Sequence, residues 1–346
     1  MILGIDNLRA KQYEILSGKR IGLLSHLAAV SASGRTTAEL LHDSVDLVAL
    51  FGPEHGFLGQ ALAGENTEFF EHPTWQIPVY SLYGKYREPT VEMVEGLDCI
   101  VCDLQDLGVR CYTYLATLRN LMKVCEKAHV EVIVLDRPVP LPCCIDGPIR
   151  DEALDSFVAP APFPFVYGMT LAESARWMRD NLYPDVRLSV VPMEVASRGE
   201  ILFDALPRFE KPSPGIRTKE AALLYPMTVF TEAIPSIDCG LGTELAFQVV
   251  GAPWMDGEAF CERLAEEPLA GLTAQPCRFT SAREYAGQTI NGIRFVVQDR
   301  NAFRPFTSSM TFLRQIFQTY GLENSWRQAS TRPEWFNKLY GVPALR

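Results

Sequence analysis

The chain has 346 residues, 47% of them hydrophobic and 21% charged, and carries a formal net charge of −10. That length exceeds one ordinary core and fits two domains, or one large domain with a substantial cap. The acidic balance, with no basic block, argues against nucleic acid or an anionic membrane as the main partner and leaves a small molecule as the expected one.

The N-terminal stretch MILGIDNLRAKQYEILSGKR has no basic leader followed by an apolar core and a small-residue cleavage site, and no run of about 18 apolar residues occurs. As it stands the chain reads as cytoplasmic, with export the alternative if a signal has been removed. Nine cysteines is an odd number, and Cys99, Cys102, Cys111 and Cys125 lie in apolar periodic segments, which reads as reduced structural thiols.

In chain order, RIGLLSH (20–26) reads as a strand and TTAELLHD (36–43) as a short helix. VDLVALF (45–51) is a second strand, PVYSLYG (78–84) a third, PTVEMVEG a helix with proline in its first turn, and DCIVCDLQD (98–106) a fourth strand. YLATLRNLMKVCEKAH (114–129) has helical spacing of apolar residues and VEVIVLDRP (130–138) is the next strand. GMTLAESARWMRDNL (168–182) is an amphipathic helix with Thr170 and Glu173 placed for a capping box, followed by the strand VRLSVVPME. Such alternation predicts a Rossmann-like, doubly wound parallel α/β sheet over residues 1–200. Residues 201–346, with shorter strands, more turns and scattered helical pattern, predict a smaller α+β domain. No repeat is present.

Strands buried on both faces show ionisable residues only where they end, and open α/β sheets bind ligands beyond the strands' carboxyl ends. This makes Glu54 and Asp103 candidates. Glu54 sits in PEHG, between a proline and a glycine, and Glu is not a favoured helix N-cap. DLQDLGVRCYTY gathers Asp103, Asp106, Arg110 and Tyr112 in one strand-to-helix connection, where Arg110 suits either a bound carboxylate or a pair with Asp106. Asp136-Arg137 repeats the strand-end carboxylate, with a helix cap or a neighbouring arginine as the plain alternative for each Asp. Tyr83, Tyr112 and Tyr225 are candidates to stack on a sugar ring. The five histidines show no HxH or HExxH spacing, and no GxGxxG, GxxxxGK[ST] or GxSxG occurs, so neither metal, nucleotide cofactor nor a serine nucleophile is expected.

LFGPEHGFLG, IPVYSLYG, DLQDLGVRCYTY, VLDRP, GMT, VVPM, PSPG and GAPW, in this order, resemble the DUF1343 family, exo-β-N-acetylmuramidases of the NamZ type, from GIDNL to WFNKLYG. The resemblance implies a Rossmann-like domain, a smaller C-terminal domain, an active site in the cleft between them, and hydrolysis of terminal β-linked N-acetylmuramic acid from peptidoglycan fragments. It puts the family's leading catalytic candidate on Glu54 as general acid. Asp103, ahead of Glu65, is expected as the second carboxylate. His55, Glu65, Asp106, Arg110, Tyr112, Asp136, Arg137, Tyr225 and Glu232 are the expected substrate contacts, Arg110 or Arg137 taking the lactyl carboxylate. SHLAA (25–29) and EAIPSIDCGLGTELAF (232–247) depart from the family pattern and predict altered sugar selectivity. The alternative function is a sugar- or peptidoglycan-fragment-binding protein that keeps the fold without turnover.

Overall fold

The computed structural model describes residues 1–59, 65, 69–195, 197–198, 203–327 and 329–343. They form two compact units: Met1–Gly108, Tyr112–Pro142 and Gly168–Pro214 in the first, and Val109–Cys111, Cys143–Tyr167 and Gly215–Arg346 in the second. The two interleave along the chain, where the sequence alone placed a single boundary near residue 200. Among the described residues no helix is long and apolar enough to cross a membrane.

The first unit runs α1 (Gly4–Ala10), β1 (Arg20–Ser25), α2 (Thr37–His42), β2 (Asp46–Gly52), β3 (Phe70–Glu71), β4 (Pro78–Ser81), α3 (Val91–Val94), β5 (Cys99–Asp103), α4 (Tyr114–Ala128), β6 (Glu131–Leu135), α5 (Leu171–Asn181) and β7 (Leu188–Val191). The seven-stranded sheet has the order β3-β4-β2-β1-β5-β6-β7. Only the two-residue edge strand β3 is antiparallel to its neighbour. Counted along the chain, the parallel strands therefore lie third, second, first, fourth, fifth, sixth, the doubly wound order of dinucleotide-binding folds.

The strands form because their runs are apolar throughout. Ile21, Leu23 and Leu24 of β1, Cys99 to Cys102 of β5 and Val132 to Val134 of β6 are fully buried, as burial under helices on both faces demands. Local signals set the flanking helices. Thr36 with Glu39, and Thr170 with Glu173, form reciprocal capping boxes at the starts of α2 and α5. Ser25 and Asp103 end β1 and β5 in register, which brings the first and fourth strand ends side by side at the point where the order reverses.

The second unit contains α6 (Lys219–Thr228), β8 (Val249–Ala252), α7 (Gly257–Glu266), β9 (Leu272–Thr280), β10 (Thr289–Val297), α8 (Pro305–Tyr320), α9 (Leu322–Ser325) and α10 (Pro333–Tyr340). Its three strands form an antiparallel sheet, β8-β10-β9. An aromatic cluster of Phe165, Phe230, Phe306, Phe336 and Tyr340 makes its core, with ring centroids 4.8 to 6.0 Å apart. The unit is α+β, but more helical than the sequence suggests: LYPMTVF, which reads as strand-like, ends α6 with Pro226 inside the helix.

Candidate active site

The PEHG turn that ends β2 is built by a main-chain bond from Gly56 N–H to Pro53 C=O, 2.9 Å long. Glu54 and His55 are its central residues, and His55 takes φ +73°. A turn with a positive φ at its third position favours glycine there. A histidine in that place is a backbone outlier, and such outliers cluster at functional sites. Gly52 cannot carry a side chain, because a Cβ would lie 2.4 Å from Phe57 N. The chain thus folds back over the strand end and buries Glu54 and His55.

Two hydroxyls hold the Glu54 carboxyl. Thr113 Oγ1 donates to Glu54 Oε2 at 2.7 Å, and the Tyr83 phenol donates to the same carboxyl. Tyr83 is itself held by the end of β4: Ser81 Oγ donates to Tyr83 C=O at 2.8 Å and accepts from Tyr83 N–H at 3.2 Å, while Leu82 N–H bonds Gly52 C=O. Burial pushes the Tyr83 phenol up to about 12, with the Glu54 charge and hydrogen bond adding to it and Arg87 opposing. Tyr83 therefore remains a donor across the neutral range. The sequence offered Tyr83 as a strand-end residue and an aromatic platform, and gave Thr113 no signal beyond its place inside DLQDLGVRCYTY.

Asp103 and Arg137 occupy the ends of β5 and β6 and bind each other. Arg137 Nη2 donates to Asp103 Oδ2 at 2.8 Å and Arg137 Nε to Oδ1, Thr37 Oγ1 also donates to Oδ2, and Arg137 Nη1 reaches Val30 C=O at 3.0 Å. Asp103 is fully buried. Of the expectations for these two residues, the structure shows only that they bind each other, and the pair joins the ends of β5 and β6 to α2 and to the connection after β1.

Beside it, His26 after β1 accepts from Gln105 N–H through Nε2 at 3.0 Å, which leaves its proton on Nδ1, facing Tyr114 Oη at 3.3 Å. Burial, and next Arg137, lower its pKa to about 3, so the ring is neutral. Asp106 is buried and accepts from Gly108 N–H at 2.9 Å, shaping the turn into the next segment. Tyr112 is buried with its ring edge-on to Tyr114, centroids 4.7 Å apart, and burial raises its phenol. Asp136 accepts from Arg137 N–H and from the Thr170 hydroxyl, and burial raises it to about 6.

Arg110 is fully buried in the second unit, where it donates to the carbonyls of Pro148 and Phe163 through Nη1 and of Leu339 through Nη2 rather than to Asp106. It is a tie between main-chain segments. Tyr225, in α6 of the same unit, packs edge-on against Phe247 at 4.9 Å and accepts from Cys111 Sγ, and Glu232 lies half-exposed just after α6. Glu65 is exposed; Gly64 and the rest of 60–64 and 66–68 lie outside the described residues. Among the described residues no three His, Cys, Asp or Glu side chains converge as a metal ion requires.

A buried carboxyl at a strand's carboxyl end, held by two hydroxyls, stands in a doubly wound α/β sheet at the place where such folds bind their ligands. The family model described as exo-β-N-acetylmuramidase NamZ, N-terminal, matches residues 21–220, and its C-terminal counterpart matches 223–346. The chain belongs to the NamZ family. Peptidoglycan β-N-acetylmuramidase NamZ of Bacillus subtilis (strain 168) is 35% identical over 321 residues, 92% of this chain and 77% of that protein. Crystal structures of two DUF1343 family proteins from Bacteroides fragilis NCTC 9343 superpose with TM-scores of 0.90 and 0.72, at 27% and 25% identity. Each covers 99% of this chain, and 89% and 88% of its own.

Proposed function

We propose that Glu54 is the general acid of an exo-acting glycosidase that releases terminal β-linked N-acetylmuramic acid from peptidoglycan fragments. The reaction follows from family membership over both parts of the chain. The assignment of Glu54 rests on one observation: this strand-end carboxyl, with two side-chain hydroxyls aimed at it, sits in a strained, glycine-bounded turn. Protonating a glycosidic oxygen requires an acid held in one rotamer beside the leaving group, and Thr113 and Tyr83 supply that hold. Asp103 is a positioning residue in this reading, since Arg137 and Thr37 occupy its oxygens. The substrate is a carbohydrate bound without a nucleotide. All nine cysteines are free thiols, which supports a reducing, cytoplasmic setting in which the enzyme works on internalised wall fragments.

Glu54→Gln keeps volume and hydrogen-bonding capacity but has no carboxylic proton to give. It is expected to fold with an unchanged melting temperature and to lose at least about 10²–10⁴-fold in kcat on a natural disaccharide, with a smaller loss on an aryl muramide whose leaving group needs no proton. Near-wild-type turnover of the disaccharide by this variant removes Glu54 from the mechanism. Binding of N-acetylmuramic acid without any turnover by the unmodified chain supports the sugar-binding alternative instead.

A further inference from the structure

The two hydroxyls on Glu54 come from different parts of the first unit, and only one stands on regular structure. Thr113 is at the N-terminus of α4. Tyr83 lies between β4 and α3, in residues 82–90, which form neither helix nor strand. A hydroxyl orients an acid only as firmly as its own ring is placed, so the hold on Glu54 depends on what fixes the Tyr83 ring.

Helix α4 supplies a hold two turns further on. Asn120 follows Thr113 by two helical turns, on the same face and about 10 Å along the axis. It is buried. Its Nδ2 donates to Arg87 C=O at 2.7 Å, and its Oδ1 accepts from Arg119 Nε at 3.2 Å, so both ends of the amide are bonded. One turn beyond, Lys123 Nζ meets Glu88 Oε2 at 2.8 Å. Arg87 Cζ in turn lies over the Tyr83 ring, 5.4 Å from its centroid. Between Thr113 and Asn120, Thr117 is fully buried and returns its hydroxyl to Thr113 C=O at 3.1 Å. Asparagine is a weak helix former because its amide competes for main-chain groups. Here the buried amide is turned out of its own helix to a main-chain carbonyl 33 positions away.

We propose that Asn120 is a positioning residue of the reaction: it fixes the main chain at Arg87, whose guanidinium covers the Tyr83 ring, and so keeps the Tyr83 hydroxyl on Glu54. The inference rests on the reading of Glu54 as the acid and deepens it. Helix α4 then carries both supports of that carboxyl, Thr113 directly and Tyr83 through Asn120, and the rotamer of Glu54 is referred to one rigid element. Asn120 acts through Tyr83 and not on the sugar.

The test is a double-mutant cycle in kcat, with Asn120→Leu and Tyr83→Phe singly and together, on a natural disaccharide and on an aryl β-N-acetylmuramide whose leaving group needs no proton. Asn120→Leu alone is expected to lower kcat on the disaccharide about three- to tenfold, the worth of one orienting hydrogen bond, with KM little changed. The loss on the aryl muramide is smaller. In the Tyr83→Phe background the same substitution costs nothing further, and Asn120→Gln, which keeps the donor, recovers most of the rate. If Asn120→Leu does not fold, Asn120→Asp, which keeps the volume and offers the carbonyl no donor, takes its place in the cycle. An equal loss in both backgrounds or on both substrates makes Asn120 a structural residue only and overturns the proposal, as does an unchanged kcat. NMR of tyrosine labelled at Cζ reads the same placement without turnover. The Tyr83 line, assigned by its absence in Tyr83→Phe, is expected to begin titrating at lower pH in Asn120→Leu than in wild type, since a loosened ring regains water. If Glu54→Gln keeps full turnover, or the wild type cleaves neither substrate, the reading of Glu54 as the acid falls, and the Tyr83 line still decides Asn120: an earlier titration supports it and an unchanged line overturns it.

Discussion

Thr113 shows a single side chain diverted from structure to chemistry. It occupies the N-cap position of α4, yet its hydroxyl makes no cap bond and goes to Glu54 instead. A capping hydroxyl is worth about 1 kcal/mol to a helix, and the sequence forgoes that here to orient an acid. The left-handed His55 is a second local cost accepted at the same turn. Replacing Thr113 by Val keeps the β-branched shape and removes only the donor. The expected outcome is a kcat lowered about tenfold, in line with the loss of one hydrogen bond that orients the acid, with KM and melting temperature unchanged and Thr113→Ser restoring the rate. Steady-state kinetics on an aryl muramide decide it. A Val variant with wild-type kcat would mean that Tyr83 alone holds the acid.

At the scale of elements, the Asp103–Arg137 pair with Thr37 ties the ends of β5 and β6 to α2 and, through Val30, to the connection after β1. Both members are almost wholly buried. A buried ion pair is a poor source of net stability, but removing one partner strands the other charge. Arg137→Met is therefore expected to lower the unfolding free energy of the first unit by about 3–5 kcal/mol. Adding Asp103→Asn, which keeps the Thr37 contact, should recover most of that loss. Urea unfolding of the two single variants and the double variant measures the coupling directly. Additive effects would show that the pair is not an energetic unit. If Asp103 serves only to position, as proposed above, the double variant is also expected to retain turnover.

Two buried groups shape how the whole first unit responds to pH. His26 has its folded pKa depressed from 6.5 to about 3, so its contribution is present above pH 6.5 and is lost as pH falls through that window. Asp136 has its folded pKa raised from 3.8 to about 6, so its contribution is present below pH 3.8 and is lost as pH rises toward 6. Between about pH 4 and 6 the two slopes oppose one another and partly cancel. Asp136→Asn keeps the acceptor for Arg137 N–H but no longer titrates. The variant is expected to be more stable than wild type above pH 6 and to lose stability more steeply on acidification below it. Urea midpoints from pH 4 to 8 test this; parallel curves would show that Asp136 does not titrate in the folded protein. Glu173 raises and Arg176 lowers the Asp136 pKa, so either substitution shifts the crossover.

The alternation of apolar runs with amphipathic helices was readable from residues alone, because strands buried on both faces have no polar face to disguise them. So were the Thr36 and Thr170 caps, which depend on residues three apart, and the isolation of Glu54 between a proline and a glycine. The helices of the second unit were harder to read, since Pro226 interrupts the pattern of α6. What tertiary structure alone decided was which polar group meets which. Asp103 and Arg137 are 34 positions apart and meet because β5 and β6 are neighbours in the sheet. Thr113 and Glu54 are 59 apart, and Arg110 reaches a carbonyl 229 positions away. Local periodicity records the burial of each element's own faces. Strand order determines the partners at the strand ends, and no window of sequence contains strand order.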